Sequence, residues 1–194
     1  MGLNLGGGGD FIPHIRWNAQ MGGKWQKSAE DGPEDFEFSQ AVCNLPGLQT
    51  GWLRIEKGEA PDWKPDISLD QEAPRPSPDH QKGLKVAFLF GKKFGDGPER
   101  ELCASSKGLC MGIEDLYSRF EVEAGNNPGK CPVVAFEKGE HITLGKGATV
   151  KPVFKIVKWV DTPDEWASAP KDDYTQDQIE ELGNAATNDD EEEF

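Results

Sequence analysis

The chain has 194 residues, a formal net charge of -14, 36% hydrophobic residues, 23 Gly and 14 Pro. That length allows one domain of ordinary size plus an extension, and the turn-forming content excludes a simple helical bundle. The charge is uneven: residues 161–194 hold thirteen acidic residues against Lys171 alone, net -12, while residues 1–160 are near neutral at -2. The total charge therefore does not exclude a polyanionic partner, which needs a local basic stripe rather than a basic total.

In chain order, Gly6–Gly9 is a flexible lead-in without the Gly-Lys-Ser/Thr of a phosphate loop. Phe11–Trp17 reads as a strand that turns at Met21-Gly22-Gly23 and returns through Lys24–Lys27. Asp31–Asp35 is a loop, Phe36–Phe38 and Gln40–Cys43 are short strand pieces, and Gln49–Ile55 is another strand. Residues 57–82, dense in Pro, Asp and Gly, are expected to be a long surface excursion with one aromatic island, Asp62-Trp63-Lys64.

Leu84–Phe90 is the clearest strand, apolar on both faces and so central. Gly91–Gly97 reads as a basic, aromatic hairpin tip, with Arg100–Ala104 pairing back. Ile113, Leu116, Tyr117 and Phe120 fall at i, i+3, i+4 and i+7, predicting a helix at about 109–122 that Asn126–Gly129 breaks. Cys131–Phe136 is a strand, 137–147 a turn-rich link, and Val150–Val160 the last strand. The predicted class is mainly β. About three strand regions, a helix and two strands give the order of an OB-like five-stranded barrel, whose helix lies between strands three and four. A generic α+β sandwich with one helix reads the same way. Residues 1–160 are assigned to this body and 161–194 to a disordered acidic C-terminal tail.

No basic start or long apolar stretch marks the N-terminus, and no run approaches the ~18 apolar residues of a membrane helix. A cytoplasmic protein is expected (host cytoplasm if phage-encoded), with no membrane partner. Cys43, Cys103, Cys110 and Cys131 are widely spaced without a CxxC pair, so reduced thiols are expected rather than structural zinc. His14, His80 and His141 form no HExxH, and neither GxSxG nor a phosphate loop is present. The reading is non-enzymatic, with no catalytic residues, no metal and no cofactor.

Single-strand binders need cations along the phosphates and aromatic faces for the bases. Here the two occur as neighbours: Arg16-Trp17, Lys24-Trp25 with Lys27, Trp52 with Arg54, Trp63-Lys64, Lys92-Lys93-Phe94, and Lys155 with Lys158-Trp159. The competing reading is that Trp is core, since adjacent residues on a strand face opposite sides. Several members of the set must therefore be core. Trp25 and Trp63, in polar turn-rich contexts, favour stacking over core.

The run Asp189-Asp190-Glu191-Glu192-Glu193-Phe194 buries nothing and repels itself. An acidic run serves solubility, which does not account for an apolar residue at its free end. A terminal Phe is an anchor for a pocket, and its carboxylate pairs with a basic residue there. This tip resembles the C-terminus of phage and bacterial single-stranded DNA-binding proteins, in which an acidic stretch ends in Phe. It is more similar to the T7-type family, because no Pro precedes Phe194. Residues 161–188 depart from the bacterial pattern of a long Gly/Gln/Pro linker: they contain Trp166, Tyr174 and a short helical stretch, Thr175 to Leu182.

The resemblance implies an OB fold, single-stranded DNA as ligand, and docking of Asp189 to Phe194 on replication proteins such as a polymerase or helicase-primase. Such a protein serves DNA replication, recombination or repair in a bacteriophage. The sequence leaves room for a homodimer. Three rivals stand: a virion or assembly protein with a solubilising tail, an acidic DNA-mimic inhibitor, whose acidity would spread over the folded body, and a β-barrel that binds RNA or saccharide.

Overall fold

The structure, a computed structural model, describes residues 13–29, 32–56, 60–91 and 99–167. Strands form where aromatic and β-branched runs lie between Gly, Pro, Asn and Asp turns. In chain order they are β1 (His14–Asn18), β2 (Lys24–Lys27), β3 (Glu34–Phe36), β4 (Gln40–Cys43), β5 (Gln49–Arg54), β6 (Asp62–Pro65), β7 (Gln81–Leu89) and β8 (Glu99–Ala104). The helix α1 (Lys107–Ala124) follows, then β9 (Lys130–Leu144), β10 (Gly147–Asp161) and the short α2 (Asp164–Ala167).

The fold is mainly β, but not the expected five-stranded barrel. Among the described residues ten strands share one open sheet in the order β10-β9-β4-β7-β8-β1-β2-β3, with β5 on β7 and β6 on β5. All pairings are antiparallel except β1 with β8. Two segments explain the extra strands. The excursion at 57–82 contains β6, because Trp63 and Lys64 pair with Leu53 and Trp52. The link at 137–147 is mostly strand, because β9 and β10 continue past Phe136 as one long hairpin. Glu137, Lys138, Gly139 and Glu140 read as turn chemistry, yet Gly139 pairs with Pro152, where an added Cβ would come 2.7 Å from Val150 Cγ1. Register shifts at Val153/Phe154 and Ile156/Lys158 bend β10 along its length.

The bent sheet rolls so that strands towards its two ends meet through side chains. Trp17 of β1 and Trp25 of β2 contact Phe136 of β9 at 5.6 and 6.0 Å between ring centroids, and Trp25 contacts Phe154 of β10 at 5.9 Å. Val86, Phe88, Leu102, Val134 and Ile113 fill the same cluster. Burying such side chains contributes about 1.5–3 kcal/mol each.

Helix α1 closes the core against β10 with Leu109, Ile113, Leu116 and Phe120. Its backbone approaches unusually near: a Cβ at Gly112 would lie 2.4 Å from the Pro152 carbonyl oxygen. After β10, Trp166 of α2 donates from Nε1 to Glu99 Oε1 at 2.6 Å, so the start of the acidic extension packs on the body. The predicted helix at Thr175 to Leu182 and the expected partner-binding tail, Asp189 to Phe194, lie outside the described residues.

Candidate functional site

The aromatic candidates separate by burial. Trp17 and Trp25 are 7% and 3% exposed, so neither offers a face to a base, which corrects their assignment as stacking residues. Trp25 looked exposed because polar neighbours surround it in sequence. Its ring instead meets Trp17, Phe38, Phe136 and Phe154. Trp159 packs on Phe120 at 5.7 Å and donates to Glu123 Oε2 at 3.2 Å, bracing α1. Trp63 is half-buried, its ring over the backbone of Gly51. Trp52 remains, half-buried and lining an open groove.

Many cation candidates are already engaged. Arg16 donates from Nε to Gln26 Oε1 at 2.8 Å, and Lys24 and Lys27 pair with Asp35 and Glu34 at 3.0 and 3.4 Å. Hydrogen bonds from Gln26 and then Lys24 hold the Asp35 carboxyl below its ordinary range. Arg54 contacts Glu56 and Asp62, Lys64 pairs with Asp62 at 3.1 Å, and Lys155 with Glu137 at 3.1 Å. Lys158 is exposed on β10. Lys92, Lys93 and Phe94 lie outside the described residues.

The groove, about 970 Å³, runs between the β5–β7 surface and α1. Its position follows from register. Lys64, Trp52 and Lys82 are direct cross-strand neighbours on β6, β5 and β7, hence on one face. Lys82 Nζ stands 5.1 Å and Arg75 Cζ 5.5 Å from the Trp52 ring centroid. Leu84 and Ile113 supply apolar lining, Tyr117 a second aromatic, and Lys107 another cation. The two walls differ in charge: Arg75 and Lys82 lie with Asp70 on the sheet side, and Glu114 and Glu121 with Lys107 on α1, so the sheet side is the more positive.

A chain of bonds through the loop after β6 fixes Trp52. Its Nε1 donates to the Ala73 carbonyl at 2.8 Å, the Ala73 N–H donates to Asp66 Oδ1 at 3.0 Å, and Lys82 Nζ donates to Asp66 Oδ2 at 2.6 Å. Arg75 is aimed by bonds from Nε to the His80 carbonyl and from Nη2 to the Pro78 carbonyl, at 2.9 and 2.5 Å. His80 is 3% exposed; its Nδ1 lies 2.8 Å from Ser77 Oγ and its Nε2 3.3 Å from Asp62 Oδ2. The Nε2 contact is near without hydrogen-bond alignment. His80 does not line the groove; its contacts with Ser77 and Asp62 tie the loop after β6 back to that strand. Lys64 beside Asp62 holds that carboxyl below its ordinary range.

No motif or aromatic neighbour in the sequence points to Arg75, Lys82, Tyr117 or Asp66. Lys82 is two residues before Leu84 and so shares the inner face of that strand. Its approach to Trp52 required the pairing register. Burial pushes the thiols of Cys103 and Cys110 up to about 12 and about 11, which keeps them protonated near neutral pH. Among the described residues no group of His, Cys, Asp and Glu is placed to hold a metal ion, and no helix is long and apolar enough to cross a membrane. No family model, curated protein or solved structure matches the chain.

Proposed function

We propose that this chain binds single-stranded DNA without a base-sequence requirement, through the groove headed by Trp52. The observation that carries the reading is the row Lys64, Trp52 and Lys82 with Arg75 over the same indole. An aromatic face flanked by cations at an open groove suits a strand whose bases stack and whose phosphates track the charges. The charge difference between the walls gives the strand an orientation. Its backbone runs along the Arg75 and Lys82 side, away from Glu114 and Glu121, and its bases turn toward Trp52 and Tyr117.

The rolled sheet is an elaborated relative of the OB barrel in this reading, strands towards its two ends joined by side chains instead of a ladder. The acidic tail, read from sequence, recruits basic surfaces of replication proteins through Asp189 to Phe194. The role is binding and protection in phage replication and recombination, without catalysis.

The test is a fluorescence titration with oligo-dT and with duplex of equal length at low salt. Saturable quenching by the single strand alone supports the reading. In Trp52→Ala the affinity should drop by about 1–3 kcal/mol, the usual worth of one stacked base. No binding at micromolar protein, or equal binding of duplex, would overturn it.

A further inference from the structure

The two cations on Trp52 are held in opposite ways. Arg75 is aimed by neutral carbonyls, those of His80 and Pro78, and keeps its whole charge for a ligand. Lys82 is not so placed. Its ammonium lies 2.6 Å from Asp66 Oδ2 and 3.3 Å from Glu72 Oε1. The Asp66 side chain is only 3% exposed, and its other oxygen is pinned by the Ala73 N–H. That carboxylate cannot turn away without breaking the bond that also positions the carbonyl under Trp52 Nε1.

A carboxylate oxygen and a phosphate oxygen are the same kind of acceptor for an ammonium. We propose that Asp66 is a positioning residue that occupies Lys82 in the free groove in place of phosphate, and so limits how tightly the groove takes a nucleic-acid backbone. This inference rests on the single-strand reading of the groove. The salt slope counts the cations that leave the strand as its phosphates are neutralised; with Asp66 beside it, Lys82 neutralises a phosphate only in part and few leave there. At Arg75, held by neutral carbonyls, the neutralisation and the release are full. Asp66 thereby trades affinity for a fixed Trp52, which suits a protein that must leave the strand as readily as it coats it.

The experiment measures affinity for dye-labelled oligo-dT by anisotropy across a salt series. Asp66→Asn keeps a carbonyl oxygen for the Ala73 N–H and removes the competing charge. It should bind severalfold tighter, with a log–log salt slope steeper by about 0.7, the value of one further phosphate on a single strand. Asp66→Asn combined with Lys82→Met should lose that gain in both affinity and slope. A residue that merely supports the loop predicts the reverse, weaker binding at unchanged slope, and that result would overturn the proposal. If Asp66→Asn melts too low for use, Glu72→Gln on the exposed side of the same ammonium should shift affinity and slope the same way by less. An unmoved slope there also overturns it. Failure of the wild-type chain to bind removes the groove reading and this proposal together. Wild-type binding with unmoved slopes removes this proposal alone.

Discussion

The indole Nε1 of Trp17 donates to the carbonyl oxygen of Val150 at 2.7 Å, joining residues 133 positions apart. Four residues further along the same strand, Arg119 Nη1 donates to the Phe154 carbonyl at 2.7 Å. Both bonds fall on β10, which ends the sheet order. An end strand with unpaired carbonyls invites pairing with another chain, and here side chains from β1 and α1 take up two of them. Trp17 thus does at the seam of the rolled sheet what a backbone ladder does in a closed barrel.

Replacing Trp17 by Phe should therefore act on stability and not on binding. The substitution keeps an aromatic against Trp25 and Phe136 but leaves the Val150 carbonyl without its donor in a buried setting. Such an orphaned acceptor costs about 1–3 kcal/mol. Urea melts should show the lower midpoint with an unchanged slope, and oligo-dT affinity measured well below the melt should match the wild type. A loss of affinity with intact stability would return Trp17 to the binding surface.

Gly112→Ala should be destabilising although Ala is the better helix former by about 0.8–1.0 kcal/mol. The added Cβ would lie 2.4 Å from the Pro152 carbonyl oxygen and 2.8 Å from Pro152 Cγ. Helix and strand must separate to admit it, at a cost of about 1–3 kcal/mol. Thermal melts would check this, with Gly125→Ala as the comparison, because nothing lies within 4 Å of a Cβ there.

The contrast between these residues shows what the sequence could reveal. The helix was legible because Ile113, Leu116 and Phe120 repeat at helical spacing and all three are buried. The mainly β class followed from apolar runs between turn residues. The number of strands did not follow, because β6 is four residues long and Pro65 and Asp62 disguise it as loop. At the groove, Trp52 was legible as a candidate but its partners were not. Arg75 is 23 positions and Lys82 30 positions downstream in a segment that reads as excursion. Trp25 shows the converse failure, since local polarity cannot reveal that Gln26 beside it is also buried and bonded to Asp35.

The acid limb of stability should depend on Asp35. Its folded-state pKa is lowered below 3.8, first by the hydrogen bond from Gln26 and then by Lys24. A lowered carboxylate contributes stability that is present above the unfolded value and is lost as pH falls through the folded one. Asp35→Asn should thus flatten the decline of the melting temperature below about pH 4. Lys151 acts at the other end. Hydrogen bonds to Asp115 and Glu140 raise its pKa above 10.5, so its contribution is present below that value and is lost as pH rises through the folded one. Lys151→Met should flatten the alkaline limb. Melting temperatures across both ranges would check the two signs.

Cys110 reports on the groove from within. Its thiol lines the cavity beside Ile113 and Tyr117, and burial pushes it up to about 11. The thiolate is the reactive form, so near pH 7 very little of it is present at this position. Native protein should react slowly with iodoacetamide there and take up label at all four cysteines once unfolded. At about pH 9, where the thiolate fraction is larger than at neutral pH and lysines keep their charge, saturating oligo-dT should slow alkylation of Cys110, read by peptide mass. The rate at Cys103, outside the groove lining and pushed up to about 12, should not change. Protection of Cys110 alone places the strand in the groove beside Trp52. Binding without that protection would move the strand to another face of the sheet.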